Sequence, residues 1–149
     1  MRGSSAEQWR PEDYLRERHP EIRVVDADLP GRLQGFISHD EGIIWLRNDL
    51  SEVERRSTLA YEIAQLKQGP TPGDACLAAA HQRDAAEWAA RMLIDTERFV
   101  EAFSRSASYA DVAALLGVDV PTVRARLRGL TDVEQDAVFA AILDTRLSA

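Results

Sequence analysis

The sequence has few of the residues that build disulfide frameworks and zinc sites. It contains one cysteine, Cys76, and three histidines among its 149 residues. A single cysteine excludes an intrachain disulfide framework and a zinc site made mainly of thiolates, and it is typical of a protein in a reducing cytoplasm. A chain of this length buries enough apolar surface to fold without crosslinks, so we expect a compact cytoplasmic protein.

Long apolar runs and an excess of basic charge are also absent from the sequence. No apolar stretch approaches the ~18 residues that span a bilayer, and residues 1–10 are polar, without the apolar core of a signal peptide. The 25 acidic and 18 basic residues give a formal net charge of −7, so DNA binding requires a local basic patch. We expect no membrane partner, and the charge is compatible with basic protein partners.

The first third of the sequence combines one short helix with short β-rich runs. Pro11 and the acids after it predict a helix that ends near Arg18. Residues 22–25, 35–38 and 43–46 are short apolar runs, and the last two flank a four-residue polar loop that is typical of a hairpin. These runs predict a small antiparallel sheet.

The rest of the sequence is predominantly helical. Ser51 followed by Glu54 forms a capping box at the start of a long helix, and the glycine- and proline-rich residues 69–73 end that helix. Apolar residues then recur at helical spacing, so the sequence predicts a mostly helical α+β fold with further helices at residues 75–94, 96–103, 109–116, 121–130 and 132–143.

The helix that starts at Ser51 carries the most informative motif, Tyr61-Glu62-x-x-Gln65. Positions 61 and 65 are four residues apart, so their side chains project from one helix face. Two histidines at this spacing would bind one zinc ion, and a glutamate between them would act as general base on a zinc-bound water. Here the glutamate is present but both histidine positions hold neutral side chains.

The frame around this motif, TLAxExxxL at residues 58–66, resembles that of the ImmA/IrrE family of zincin-like metallopeptidases, which normally reads TLAHELxH. By this resemblance Tyr61 and Gln65 replace the zinc-binding histidines and Glu62 is retained. Residues 82–94 resemble the family's third-ligand helix, which places Gln82 at the ligand position and Asp84 as the nearest carboxylate. The alternative is a helix with no relation to HExxH.

The resemblance covers roughly residues 11–130 and implies a domain organisation. We expect a flexible N-terminus at residues 1–10, a degenerate metallopeptidase domain at residues 11–104 and a C-terminal helical subdomain at residues 105–149. The subdomain contains the pattern A-x-x-L-G-V-x-x-x-T-V, which resembles a helix-turn-helix. Its arginines are candidates for DNA contacts: Arg124, Arg126 and Arg128. Nearby acids offset their charge, and such a tail is also a common part of the family scaffold.

Replacement of the ligands has a direct chemical consequence. A glutamine carbonyl is a weak zinc ligand, and a phenol with a pKa near ~10 rarely ionises without a metal already present. We therefore expect no zinc and no other cofactor, and a vestigial, non-catalytic Glu62. A polar pocket should remain, lined by Tyr61, Glu62, Gln65, Gln82 and Asp84. The histidines are expected at surface or capping positions rather than as ligands: His19, His39 and His81.

Three functions follow from these interpretations. By resemblance, intact family members cleave helix-turn-helix repressors in phage, mobile-element or stress-response contexts. The leading hypothesis is a non-catalytic regulatory protein that binds such a repressor, or another protein partner, without cutting it. The first alternative is an active metallopeptidase with displaced ligands, in which Glu62 is essential. The second is a DNA-binding transcriptional regulator that uses the C-terminal arginines.

Overall fold

The computed structural model describes residues 8–148, so most of the predicted flexible N-terminus lies outside the described residues. Within this range no helix is long and apolar enough to cross a membrane. The described chain is mostly helical with one small sheet, which confirms the predicted α+β class. Its elements are α1 (Pro11–Arg18), β1 (Arg23–Ala27), β2 (Gly35–Ser38), β3 (Ile43–Arg47), α2 (Glu52–Gln68), α3 (Ala75–Leu93), α4 (Thr96–Arg105), α5 (Tyr109–Leu116), α6 (Val120–Arg128) and α7 (Asp132–Leu147).

Local capping determines where most helices begin. The Ser51 side chain accepts a hydrogen bond from the Glu54 amide, and the Glu54 carboxylate accepts one from the Ser51 amide at 3.0 Å, which confirms the predicted capping box. Such reciprocal bonds satisfy amides that have no partner within the helix. The five helices that follow also have side-chain caps, at Asp74, Asp95, Ser108, Asp119 and Thr131.

The sheet is mixed, which differs from the expected antiparallel arrangement. Its strand order is β1-β3-β2. β2 and β3 form the predicted antiparallel hairpin, but β1 pairs with β3 in the parallel direction. The apolar character of β3, in which Ile44 and Leu46 are fully buried, accounts for its central position in the sheet. The most apolar strand takes the centre, where both of its edges are paired, and the more exposed β1 and β2 lie at the edges.

Two apolar clusters lie on either side of α2. The smaller cluster joins the sheet to α1 and α2 through residues such as Leu15 and Ile44. The larger one extends from Ala60 on α2 to Ala141 on α7, and Trp9 and Trp88 pack against both. The larger cluster thus includes residues on both sides of the domain boundary that was predicted after residue 104.

Candidate functional site

A pocket of about 350 Å³ lies where α2, α3, the start of α6 and the edge of β2 meet. Small residues make room for it, since Ala86 and Ala89 form the α3 wall. Gly35 allows β2 to approach α2 closely: a Cβ at this position would come within 2.9 Å of both Thr58 Cγ2 and the Trp45 carbonyl oxygen. The lining residues are Gln34, Gly35, Ser57, Thr58, Tyr61, Glu62, Ala86, Ala89, Asp119, Pro121, Thr122 and Ala125.

Two of the motif residues on α2, Tyr61 and Glu62, line this pocket, and the third, Gln65, is bonded to Tyr61. Gln65 Nε2 donates a hydrogen bond of 3.0 Å to the Tyr61 hydroxyl, so the two replaced positions are joined to each other. Burial, and then the charge of Glu62, raises the pKa of Tyr61. The phenol is therefore neutral at physiological pH, and positions 61 and 65 present a hydroxyl and an amide instead of two imidazoles.

Glu62 lies at the wall of the pocket and is only 5% exposed. Among residues 8–148, no hydrogen bond or ion pair reaches its carboxylate. Burial raises the pKa of Glu62 to about 7, because the low-dielectric surroundings disfavour the charged form. Its carboxylate is thus a buried, uncompensated titratable group beside a cavity, a combination typical of functional sites.

The side chains at the motif do not fit a zinc ion. A site of this type needs three protein ligands from imidazole, thiolate or carboxylate, but Tyr61, Gln65 and Gln82 supply a neutral phenol and two amides. The described part of the chain contains no group of three or more histidine, cysteine, aspartate or glutamate residues placed to hold a metal ion. The expectation that zinc is lost therefore rests on donor chemistry and remains a prediction.

The predicted pocket residues are only partly brought together. Tyr61 and Glu62 line the pocket. Gln65 is not part of the lining, which differs from the expectation; it bonds to Tyr61, and its Oε1 is buried without a partner among the described residues. Gln82 and Asp84 are exposed and are not part of the lining, which corrects the expectation for both. The residue of α3 that reaches the pocket is Ala86, one helical turn after Gln82.

Sequence reasoning did not find the contribution of α6. Asp119 and Thr122, from the first turn of α6, close one side of the pocket. The only signal was their position at a predicted helix start, where Asp119 caps the helix by accepting a hydrogen bond of 2.9 Å from the Thr122 amide. Ser57 was likewise not predicted, although it is nine-tenths buried and its hydroxyl has no partner among the described residues.

The histidines differ in their surroundings. His19 Nδ1 lies 3.4 Å from the Glu21 carboxylate at the end of α1, and His39 follows β2, as expected of surface or capping positions. His81 on α3 differs from that expectation, because both ring nitrogens are buried and have no partner within the described chain. It lies beside Gln82 in the sequence but is not part of the pocket lining.

The structure corrects the expected DNA contact of Arg126. Its side chain is 1% exposed. Nε donates to the Ile94 carbonyl oxygen at 2.8 Å, and Nη2 donates to Thr96 Oγ1 at 3.0 Å and to the Glu134 carboxylate at 3.1 Å. Because α6 packs against α3, this position faces the interior, so Arg126 stabilises the fold and its guanidinium is not available to a phosphate or a base.

The other two arginines of the predicted recognition helix also have protein partners. Arg128 Nε lies 3.6 Å from the Glu87 carboxylate, and the Arg124 guanidinium lies 5.8 Å from the centre of the Tyr109 ring. The first turn of α6, the part that enters DNA in a helix-turn-helix, faces the pocket instead. The geometry therefore disfavours a DNA-reading role for α6.

The fold and the site together define an α+β domain in which a central helix carries a TLAxExxxL frame beside a cavity. The model of the IrrE N-terminal-like domain matches residues 17–128, which is 112 of the 149 residues. The chain belongs to this family, which confirms the resemblance and excludes an unrelated helix. No curated protein and no solved structure gives a significant match to the chain.

Proposed function

We propose that this chain is a non-catalytic member of the IrrE N-terminal-like family that acts by binding a protein partner. The observation that carries the proposal is the hydrogen bond between Gln65 and Tyr61, which joins side chains at the two positions where the family frame has metal-binding histidines. Glu62 has no metal-activated water to act on in such a site. The retained pocket and frame then serve recognition.

The partner is a protein, such as a helix-turn-helix repressor in a phage, mobile-element or stress-response context. Three observations support a protein in preference to DNA: the net charge of −7, the burial of Arg126 and the orientation of α6 towards the pocket. Binding in the cytoplasm regulates a repressor by shifting its population away from the DNA-bound form. No cofactor takes part.

The test is the metal content of the protein purified without chelator, compared with a restored variant that carries Tyr61→His, Gln65→His and Gln82→Glu. We expect no stoichiometric zinc in the native chain and about one zinc per chain in the variant. A double variant that lacks Gln82→Glu is the matched control for the third ligand. Stoichiometric zinc in the native chain overturns the proposal and makes peptide hydrolysis the next assay.

One observation favours a second function, a metallopeptidase with displaced ligands. His81 has two buried ring nitrogens without a partner among the described residues, and Glu62 is retained. An imidazole in this state is a potential metal ligand. If this function holds, the native chain contains zinc that His81→Ala removes, and Glu62→Gln abolishes peptide cleavage while leaving the zinc in place.

A further inference from the structure

The pocket contains polar groups that the protein itself leaves without partners. The Glu62 carboxylate receives no hydrogen bond or ion pair from residues 8–148, and the Ser57 hydroxyl is buried without a partner in the same range. Both side chains are more than nine-tenths buried and both line the cavity. A buried carboxylate in this state is costly, and proteins normally pair such groups.

The charge around the cavity has one sign. Among residues 8–148, its lining includes two carboxylates, Glu62 and Asp119, and no lysine or arginine. The Asp119 carboxylate is already engaged by the Thr122 amide and hydroxyl, so it adds negative potential near the rim, whereas Glu62 remains available. The group that would complete this site is therefore a cation supplied from outside the chain.

The shape and the walls of the cavity suit a long basic side chain. A volume of about 350 Å³ is at the lower end of the range for ligand pockets, so it holds one side chain rather than a folded element. Ala86, Ala89, Pro121 and Ala125 give the cavity apolar walls. Lysine and arginine bury their methylene stems along apolar surface and carry the charge at the tip, which matches apolar walls with an acid between them.

We propose that this pocket binds a single lysine or arginine side chain of the protein partner, with its cationic end paired to Glu62. The inference rests on the proposed function, because it names the chemical feature by which the partner is recognised. The guanidinium of arginine or the ammonium of lysine also supplies donors for the Ser57 hydroxyl. A chain of net charge −7 favours the approach of a basic partner segment.

The experiment is an NMR titration of the isotope-labelled chain with four probes: capped lysine, capped arginine, capped norleucine and the free polyamine putrescine. We expect the two basic probes to shift the amide signals of Tyr61, Ala86 and Thr122, and the uncharged norleucine probe to bind about tenfold more weakly. Equal affinity for norleucine, or no binding by any probe, overturns the proposal. Tighter binding of putrescine than of either basic probe assigns the pocket to a free polyamine and also overturns it.

Two variants test whether the basic probes bind in the pocket. Glu62→Gln preserves the size of the side chain and removes its charge, so we expect it to weaken capped lysine binding about tenfold. Asp84→Asn removes one charge from an exposed position of α3 outside the pocket and should leave the affinity unchanged. Equal loss in both variants indicates only a general charge effect and contradicts the proposal.

The metal content measured on the same samples separates this inference from the proposed function. A zinc-free chain that binds no basic probe keeps the non-catalytic function and rejects the lysine or arginine site. A chain that contains stoichiometric zinc rejects the non-catalytic function, whatever the outcome of the titration.

Discussion

Two buried polar regions of this molecule differ in how completely their groups are paired. At the junction of α3, α4, α6 and α7, Arg126 is enclosed and bound to Glu134, Thr96 and the Ile94 carbonyl oxygen through Nε and Nη2, and only its Nη1 is buried without a partner in the described chain. At the pocket beside α2, Glu62 is enclosed and has no partner in the described chain. The paired charge contributes to the fold, and the unpaired carboxylate beside a cavity is the group that we propose as a binding site.

The first region is organised around the Glu134 carboxylate. Hydrogen bonds from Arg91, the Thr131 amide and Thr96, in that order, hold the pKa of Glu134 well below its usual range, and Arg126 adds to this effect. The Arg91 Nη2 atom lies 3.0 Å from Glu134 Oε1, and the Thr131 amide donates to the same oxygen at 2.9 Å. One carboxylate thus caps α7 and pairs with two arginines.

The largest expected effect is that of Glu134→Ala. The substitution leaves the Arg126 guanidinium buried without its carboxylate, so we expect the free energy of unfolding to fall by about 3–5 kcal/mol. Urea denaturation at neutral pH measures this loss. The control is Glu101→Ala, which removes an exposed ion pair with Arg105 and should change stability by about 0.5 kcal/mol or less. Equal losses in the two variants would contradict the structural role assigned to the junction.

The same network has a defined pH dependence. Because the pKa of Glu134 is lowered in the folded state, its stabilisation is fully present above the unfolded value of 4.5 and is lost as pH falls towards the folded value. Glu134→Ala should therefore cost less stability in acid than at neutral pH, which urea denaturation over a pH series measures.

The next effect concerns the packing that forms the pocket. In Gly35→Ala, the added Cβ meets Thr58 Cγ2 and the Trp45 carbonyl oxygen at 2.9 Å, so β2 must move away from α2. We expect a loss of about 2 kcal/mol in the free energy of unfolding. Gly73→Ala is the matched control, since its Cβ would meet no atom within 4 Å. Thermal unfolding of both proteins measures the difference, and an unchanged midpoint for Gly35→Ala would refute the close approach of β2.

At the pocket beside α2, we expect Glu62→Gln to have the opposite effect to Glu134→Ala, namely an increase in the free energy of unfolding. Burial raises the pKa of Glu62 to about 7, so ionising this carboxylate opposes folding. The cost is absent below the unfolded pKa of 4.5, grows between pH 4.5 and 7, and is complete above pH 7. We therefore expect the substitution to stabilise the protein by about 1–2 kcal/mol at pH 8 and to have little effect at pH 4. Denaturation curves at the two pH values measure this difference.

A destabilising effect of Glu62→Gln at pH 8 would show that the carboxylate has a partner in solution. It would remove the contrast between the two regions and, with it, the reason to regard the pocket as a binding site.

The smallest expected effect belongs to the exposed arginines of α6. Arg124→Ala and Arg128→Ala each remove a contact at the surface, so we expect stability changes of about 0.5 kcal/mol or less. Neither variant should differ from the native chain in binding duplex DNA over a series of salt concentrations. Salt-dependent DNA binding by the native chain that falls in both variants would restore the DNA-binding alternative.

The sequence predicted features that depend on local chemistry. The capping box of Ser51 and Glu54 depends only on neighbouring residues, and the structure has it. The parallel pairing of β1 with β3 was not predictable, because β2 separates these strands along the chain and no local pattern specifies which edge of the hairpin β1 joins. Local patterns identify elements, and pairing depends on the whole core.

The site residues that lie on α2 were predictable from the sequence, whereas the residues that other helices bring to them were not. The four-residue spacing on α2 predicted that positions 61 and 65 share one helix face, and their side chains are hydrogen-bonded to each other. The resemblance of residues 82–94 to the family's third-ligand helix pointed to Gln82, but the α3 residue that lines the pocket is Ala86, one helical turn later. The burial of Arg126 was not predicted, because arginine is seldom buried and because its partner Glu134 lies on a later helix, where the Thr131-x-x-Glu134 pattern predicts only a capping box.

Because α6 forms one wall of the pocket, the cavity requires both the motif helix α2 and the C-terminal helices. A gene fragment that ended after α4 would encode the motif helix but leave the cavity open on the side of Asp119 and Thr122. Recombination between related genes at that point would combine the α2 and α3 residues of the pocket from one parent with the α6 residues from the other. The motif helix and the C-terminal helices are therefore best regarded as a single heritable unit.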